Sequence, residues 1–359
     1  MRALELFACS GALAAGFRGA GVTFDLAFDV SPDACASYEA NLGTRPVQID
    51  VRDLLRMARA GWSPGHLDLL VADPPCAPWS RAGKRKGHED ERDMLRETVE
   101  LVVLLRPRAY LIGNIPGLED KPNLKVVQAT IGSLAKVGYC VRDHAVLNAV
   151  NYGVPQFRAR PYWYGHLAGP CIAWPPRTHG DPALDGPELA GIGGLRPWVT
   201  CRQALAHLSV EDLGRPVAVA PPTHRLVHEK RTVSGMKSRQ RIPQSARLGD
   251  PDRPAAAMTA KLARASAGDS VVLAWPWDRP ATTILTTGQL AGPGHGPIMS
   301  RTGGLVLSEL AGSIIQGFPE GWHFCGKTKA SRWAQIGQAV PVVVAEALGR
   351  SVAAAMETA

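Results

Sequence analysis

The chain has 359 residues, of which 45% are hydrophobic and 20% charged, and its 40 lysines and arginines against 32 acids give a net charge of +8. At roughly 100–200 residues per domain, this length predicts two domains or one large domain with an insertion. The ordinary balance of apolar and charged residues excludes wholesale disorder. Moderate basicity permits a polyanionic partner but does not require one.

The cysteines and the apolar runs limit the class of protein further. The 7 cysteines are scattered and form no C-x-x-C pair, which argues against a disulfide framework and a zinc ribbon and predicts a reducing compartment without a bound metal. The apolar run at residues 101–105 is far too short to cross a bilayer. Glu5 interrupts the first apolar stretch, which is therefore unlike a signal peptide. We expect a cytoplasmic protein with no membrane partner.

The N-terminal half alternates between short apolar runs and helical patterns. Strands are predicted at residues 3–7, 24–29, 67–72, 109–112 and 141–147, and helices up to residue 19, from residue 31, and at residues 91–105. Ser31 followed by Pro32 is typical of a helix N-cap and its first helical position. Strands that alternate with helices predict a doubly wound α/β fold, with a mainly parallel sheet covered on both faces.

The composition changes near residue 174. From there to about residue 300 the chain is rich in Pro, Gly, Arg and Thr, and helical patterns return after residue 305. A basic stretch, residues 228–247, holds the single acid Glu229 and these basic residues: Lys230, Arg231, Lys237, Arg239, Arg241 and Arg247. This stretch suits either a solvated loop or a surface that contacts phosphates.

Ligands of a doubly wound sheet bind at the carboxyl ends of its strands. The loop after the first strand, Cys9-Ser10-Gly11, consists of small residues that either let a ligand approach a helix N-terminus or form only a tight turn. Asp29, at the end of the second strand, can accept hydrogen bonds from a ribose, and Asp50 can bind an adenine amine. Each acid taken alone is more typical of a solvated strand end.

The segment Asp73-Pro74-Pro75-Cys76 places a cysteine on a stiff loop at the carboxyl end of a strand. A thiol held there lies near the ligand crevice with little freedom to move. Since the thiolate is a strong nucleophile, this placement predicts nucleophilic addition. A buried structural cysteine is the alternative, and the position of the loop makes it less favourable.

Six segments in order resemble the motifs of the DNA (cytosine-5) methyltransferases, over most of the chain. Residues 6–11 resemble the cofactor loop, residues 74–76 the nucleophile motif, and residues 152–160 the Gln-x-Arg-x-Arg motif. Residues 113–117 stand where the family has Glu-Asn-Val, and the last two motifs resemble residues 316–319 and 335–341. The resemblance implies a doubly wound S-adenosylmethionine-dependent methyltransferase (Rossmann-like) domain at residues 1–174, a smaller irregular target-recognition domain at 175–304, and C-terminal motifs at 305–359 that return to the first domain.

The activity implied is methyl transfer from S-adenosylmethionine to C5 of a cytosine flipped out of duplex DNA, through a bond between the Cys76 sulfur and C6. Arg158 and Arg160 would stabilise negative charge on the base. The implied catalytic residues are Cys76, Gln156, Arg158, Arg160, Gly113 and Asn114. The implied cofactor-binding residues are Phe7, Ala8, Cys9, Ser10, Gly11, Asp29, Val30, Asp50, Val51, Asp73, Pro75, Gln338 and Ala339. The implied DNA-binding residues are Ser80, Arg81, Lys230, Arg231, Lys237, Arg239 and Arg241.

The resemblance also implies a monomer of bacterial or phage origin, with double-stranded DNA as partner and a restriction endonuclease encoded nearby as a candidate partner. Gly113 is the largest departure, because the family has a glutamate there that holds the N3 and amino edge of cytosine. Losing such a hydrogen bond to a charged intermediate slows a reaction by orders of magnitude. Three interpretations stay open: an active enzyme that uses water or another side chain such as Glu119, a slow or inactive protein, and a pocket for a different base or a modified pyrimidine.

Three functions therefore stay open. They are a DNA cytosine-5 methyltransferase, a DNA-binding relative without turnover, and an RNA cytosine-5 methyltransferase on the same fold. The long segment at residues 175–304 favours DNA, because a lobe that reads sequence needs room.

Overall fold

The computed structural model describes residues 1–75, 93–114, 121–167, 172–181, 194–217, 275–288, 298–300 and 303–357. Cys76, Ser80, Arg81, Glu119 and the basic stretch at 228–247 lie outside the described residues. The roles assigned to them from the sequence remain predictions.

The largest layer is a seven-stranded sheet. Its strands are β1 (Ala3–Leu6), β2 (Phe24–Asp29), β3 (Val47–Gln48), β4 (Leu69–Ala72), β5 (Ala109–Gly113), β6 (Cys140–Asn148) and β8 (Ala159–His166), and they lie in the order β3-β2-β1-β4-β5-β8-β6. Strands β1 to β5 pair in parallel, whereas β8 runs antiparallel to both β5 and β6. The order steps outward from β1 in both directions, which confirms the predicted doubly wound α/β fold.

Helices cover both faces of this sheet. They are α1 (Ala12–Gly19), α2 (Pro32–Leu42), α3 (Val51–Arg59), α4 (Leu95–Leu105), α5 (Lys121–Gly132) and, at the C-terminus, α10 (Val342–Glu357). Alternate residues of β4 and β5 enter two hydrophobic cores: Leu70 and Ile112 pack with α3, α4 and α5, and Leu69 and Leu111 pack with α1 and α10. Strands buried on both faces read as continuous apolar runs, which is why both were predicted.

Most predicted boundaries agree with the structure to within a few residues. The strand at 24–29 and the start of α2 are confirmed, since the Ser31 hydroxyl accepts from the Ala34 amide and Pro32 is the first helical residue. Strand β8 is the main element that the sequence analysis missed. It is buried on both faces from Arg160 onward, so it carries no polar–apolar alternation, and its first residues were assigned only to a motif.

Smaller elements follow the large sheet. A four-stranded sheet joins β11 (Gly214–Val217), β15 (Gly303–Leu307), β14 (Ile298–Ser300) and β12 (Trp275–Pro276), while β9 (His179–Gly180) pairs with β10 (Arg196–Pro197). The helices here are α6 (Cys201–Leu205), α7 (Val210–Leu213), α8 (Glu309–Gln316) and α9 (Lys329–Gln338). The short strand β7 (Gln156–Phe157) pairs with β13 (Ala281–Thr282) and so connects the two regions. The predicted domain boundaries remain a prediction.

The C-terminal helical stretch, Lys329–Glu357, is long and apolar enough to cross a membrane by length and composition, and 56% of its apolar window is buried inside the protein. In the structure it consists of two helices, α9 and α10. Helix α10 packs so closely on α1 that a Cβ on Gly16 would lie 2.4 Å from the Val342 carbonyl oxygen and 2.5 Å from the Ala345 Cβ. The apolar surface of α10 is therefore used in the core.

We expect Gly16→Ala to lower the free energy of unfolding by about 1–3 kcal/mol, because the added methyl group meets backbone that cannot move aside. Gly132→Ala in α5 is the matched control, since a Cβ there meets nothing within 4 Å. Urea denaturation measures both. Equal stability of the two variants would contradict the close contact between α1 and α10.

Candidate active site

The loop after β1 has an unusual backbone. Phe7 (φ 60°), Cys9 (φ 48°) and Gly11 (φ 90°) all lie in the left-handed region, which is costly for residues other than glycine. The Ala8 amide donates to the Phe28 carbonyl of β2, so the loop turns back over the end of the neighbouring strand. This close turn leaves small residues at the N-terminus of α1, where a ligand can approach the backbone.

Asp29 holds this loop in place. Its Oδ2 accepts from the Cys9 amide at 2.8 Å and its Oδ1 accepts from the Ser31 amide at 2.8 Å. Burial raises the pKa of the Asp29 carboxyl, although the amides of Ser31, Cys9 and Val30 oppose the shift. The next side chain, Val30, is 62% exposed, so an apolar surface lies open beside the two strand ends.

Glu5 is a site residue that the sequence analysis missed. It lies in the middle of β1, it is 2% exposed, and within the described part of the chain its Oε2 has no hydrogen-bond partner. Burial raises its pKa, and the charges of Asp29 and Asp73 add to the shift while a hydrogen bond with Tyr38 opposes it. An acid inside a buried strand was the available signal, because such a residue is rarely left without a partner.

These features fit S-adenosylmethionine, which carries a ribose, an adenine, an ammonium group and a sulfonium. The carboxyl groups of Glu5, Asp29 and Asp73 lie near one another beside the small-residue loop, and Glu5 Oε2 has no hydrogen-bond partner among the described residues. Asp50 is placed differently from this set. It caps α3 by accepting from the Arg52 amide and pairs with the Arg52 guanidinium at 2.7 Å, and the neighbouring Val51 is buried in the core.

The C-terminal motif reaches the same loop. The Cys9 sulfur lies 3.9 Å from both the Gln335 carbonyl oxygen and the Gln338 Oε1. Burial, together with the charge of Asp29, raises the pKa of the Cys9 thiol to about 12, so this thiol is protonated at neutral pH. The structure thus brings together residues predicted from segments about 330 positions apart in the chain.

A second cluster lies at the ends of β4 and β5. Arg160 Nη1 donates to both carboxyl oxygens of Asp73, at 2.8 and 2.7 Å, and its Nη2 donates to the Gln338 carbonyl at 2.6 Å. Burial raises the pKa of Asp73, while the guanidinium groups of Arg160 and Arg158 oppose the shift. Pro75, on the loop that follows, is exposed.

Gln156 and Arg158 connect the cluster to the C-terminal region. The Gln156 amide donates to the Ile315 carbonyl and to the Gln316 side chain, and its Oε1 accepts from the Ile284 amide. Arg158 Nη2 donates to the Gly337 carbonyl at 2.8 Å. Both side chains are buried, so in this structure they hold backbone segments together around the cluster.

Asn114 and Gly113 complete the site. The Asn114 side chain is fully buried and donates to the Pro74 carbonyl at 3.3 Å, so it fixes the chain two residues before Cys76. Gly113 lies opposite Tyr162 in the β5–β8 ladder, and a Cβ on Gly113 would lie 2.8 Å from the Tyr162 Cε1. The ring of Tyr162 therefore occupies the space that a side chain at 113 would need, which sequence spacing alone does not reveal.

Comparison with known proteins agrees with this geometry. A family model for the C-5 cytosine-specific DNA methylases matches residues 1–354. The chain belongs to this family. The type II methyltransferase M.NgoMIV of Neisseria gonorrhoeae is 27% identical over 356 residues, covering 99% of this chain and 97% of the relative. The type II methyltransferase M.NaeI of Lentzea aerocolonigenes is 30% identical over 364 residues, covering 99% and 75%.

A solved structure shares the fold of this C-5 cytosine-specific DNA methylase. A candidate DNA modification methyltransferase encoded within an E. coli prophage superposes with a TM-score of 0.62 at 18% identity over 99% of each chain. The predicted family, the Rossmann-like methyltransferase fold and the enzyme class are confirmed. Methyltransferases of this family generally use S-adenosylmethionine, and the relatives named here are type II modification enzymes that act on DNA.

We expect Cys9→Gly to be more stable than Cys9→Ala by about 1 kcal/mol, because only glycine adopts the left-handed backbone of position 9 without steric cost. Both substitutions remove the thiol, so their difference isolates the backbone. Urea denaturation of the two variants measures it. Two indistinguishable midpoints would refute the strained conformation.

We expect Gly113→Glu to lower the free energy of unfolding by about 1–3 kcal/mol, because its Cβ overlaps the Tyr162 ring. The loss should shrink when Tyr162→Leu is present in the same chain. A double-mutant cycle by thermal denaturation measures this coupling. Strict additivity of the two single changes would argue against the contact.

Proposed function

We propose that this methylase transfers a methyl group from S-adenosylmethionine to C5 of cytosine in double-stranded DNA, through a covalent bond between the Cys76 sulfur and C6 of a flipped base. The observation that carries the proposal is the cluster of Asp73, Asn114 and Arg160 around the start of the Cys76 loop. Cytosine C5 is too weak a nucleophile to take a methyl group unaided, and addition of a thiolate at C6 makes it enamine-like.

Asn114, Arg160 and Arg158 have different roles in this reaction, which follow from their positions. Asn114 holds the Pro74 carbonyl and so limits the movement of the loop that carries the Cys76 thiol. Arg160 brings a buried guanidinium to the place where negative charge develops on the base. Arg158 is a positioning residue, because its Nη2 holds the Gly337 carbonyl.

The methyl donor would lie along the first three strand ends. The loop at residues 7–11, Asp29 and Val30 would hold it, with Glu5 near its positive groups. When bound, S-adenosylmethionine supplies an electrophilic methyl group on a sulfonium. Asp29 keeps the loop closed by holding the Cys9 amide.

We also propose that Ser80, Arg81 and the basic residues of 228–247 contact DNA, where lysine and arginine neutralise phosphates and release counterions. The names of the type II relatives support a role in a restriction–modification system, with an endonuclease encoded nearby. Base flipping needs a single copy of the enzyme, so we infer a monomer. We also infer a cytoplasmic location.

A second candidate function is DNA binding without turnover. Gly113 favours it, because the glutamate side chain of the family is absent and the Tyr162 ring fills the adjacent space. An RNA cytosine-5 methyltransferase is the third candidate.

Transfer of labelled methyl from S-adenosylmethionine to unmethylated genomic DNA tests the proposal. The native protein should label the DNA, and Cys76→Ala should lower the labelling by about 10³-fold or more, because alanine has no group that can add to C6. Cys140→Ala, at the start of β6, is the matched cysteine control and should label as the native protein does.

Other outcomes select the alternatives. A gel-shift assay in which the protein binds the DNA, together with no transfer of label, would favour DNA binding without turnover. Labelling of structured RNA in place of DNA would favour the RNA enzyme. Equal labelling by the native protein and Cys76→Ala would reject the covalent mechanism.

A further inference from the structure

The ends of β4 and β5 place an acid beside the missing glutamate. The two strands pair in parallel with Ala72 opposite Ile112, so the next residues, Asp73 and Gly113, lie side by side at the carboxyl ends of the two strands. A Cβ on Gly113 would lie 3.4 Å from Asp73 Oδ1. A glutamate at 113 would carry its carboxyl carbon two bonds beyond that Cβ, so Asp73 already puts a carboxyl oxygen within the space that such a side chain would reach.

The surroundings of Asp73 keep this carboxyl group in a defined position. Its side chain is 13% exposed, and the 5% exposed Arg160 holds both of its oxygens through one guanidinium nitrogen. A carboxyl group has about four lone-pair positions, so one donor nitrogen leaves acceptor capacity for a ligand. Burial raises the pKa of the Asp73 carboxyl group, while the charges of Arg160 and Arg158 lower it.

The opposite side of Gly113 is closed. Tyr162 faces Gly113 across the ladder, its ring fills the adjacent volume, and burial raises the pKa of its phenol above its ordinary value. Its hydroxyl has no hydrogen-bond partner within the described residues. The absence of a side chain at 113 thus leaves room for Tyr162 on one side and for the Asp73 carboxyl group on the other.

We propose that Asp73 is a catalytic residue that supplies the carboxyl group normally carried by the glutamate of the Glu-Asn-Val motif, and that it binds the N3 and amino edge of the flipped cytosine. This inference rests on the proposed function. In this assignment, the carboxyl group that binds the base comes from the residue directly after β4, on the loop that leads to the nucleophile. It does not come from β5.

Each proton in the reaction has a source and a destination. The Cys76 thiolate bonds to C6, the C5–C6 π electrons shift into the ring, and N3 takes a proton from water; the protonated N3 and the amino group then donate to the Asp73 carboxylate. The electron pair at C5 forms the bond to the methyl group, whose former bonding pair stays on the donor's sulfur. Water removes the C5 proton, the C6–S bond breaks to return the thiolate, and N3 returns its proton to water.

The test compares Asp73→Asn with the native protein on a duplex whose target cytosine has first been mapped by bisulfite sequencing of native reaction products. Asparagine keeps the size of the side chain but lacks the negative charge that would hold the protonated N3. Methyl transfer should fall on the order of 10²–10³-fold, as for loss of one contact to a developing charge. Asp68→Asn is the matched control, since Asp68 lies just before β4 and pairs with Arg108 at 3.2 Å; it should transfer methyl at the native rate.

Two base analogues separate contact with the base from positioning of Arg160. With 5-fluorocytosine, which blocks release of the adduct, Asp73→Asn should form far less Cys76 adduct than the native protein. With 2-pyrimidinone, which keeps N3 but lacks the amino group that Asp73 would bind, Asp73→Asn should lose a smaller fraction of its adduct than with 5-fluorocytosine. Equal fractional losses with the two bases would mean that Asp73 acts through Arg160 or the fold, and would overturn the assignment.

Failure of the assignment and failure of the proposed function give different results. An active native protein with an equally active Asp73→Asn variant overturns only the role of Asp73. A native protein that neither transfers methyl nor forms either adduct overturns the proposed function, and the role of Asp73 with it.

Discussion

The buried ion pair between Arg160 and Asp73 joins three parts of the chain: the end of β4, the antiparallel strand β8 and the carbonyl of Gln338 after α9. Its two side chains are only 5% and 13% exposed. Removing one partner of such a pair leaves an uncompensated buried charge and costs about 3–5 kcal/mol. This ion pair therefore holds together the start of the nucleophile loop, the C-terminal motif and the sheet. Its loss would destabilise all three.

Antiparallel β8 makes this pair possible. Because it returns between β5 and β6, it begins at the edge where the parallel strands end, and Arg160 enters the site from the strand itself. The same reversal sets Tyr162 opposite Gly113. Arg158 and Gln156, just before it, bind backbone carbonyls near the end of α9 and in α8. One strand thus positions the guanidinium groups and attaches the C-terminal region.

Burial shifts the pKa of each acid near the two clusters in the same direction. Glu5, Asp29 and Asp73 lie at or near adjacent strand ends, and burial raises the pKa of each. Asp29 is offset by backbone amides and Asp73 by arginines, whereas Glu5 keeps an oxygen without a partner in the described part of the chain. Several carboxyl oxygens beside a small-residue loop suit a ligand with hydrogen-bond donors and positive groups. The loop tolerates the left-handed backbone of Cys9 because Asp29 holds its amide.

The sequence by itself determined the parallel strands, the Ser31 cap and the order of the family motifs, because apolar periodicity, capping chemistry and motif spacing are local properties. It also singled out Gly113 as a missing glutamate. Only the tertiary structure decided that Asp73 lies beside that position and that Tyr162 fills the opposite side. Both facts depend on the register of β4, β5 and β8, which pairs residues at least 40 positions apart and leaves no trace in local sequence.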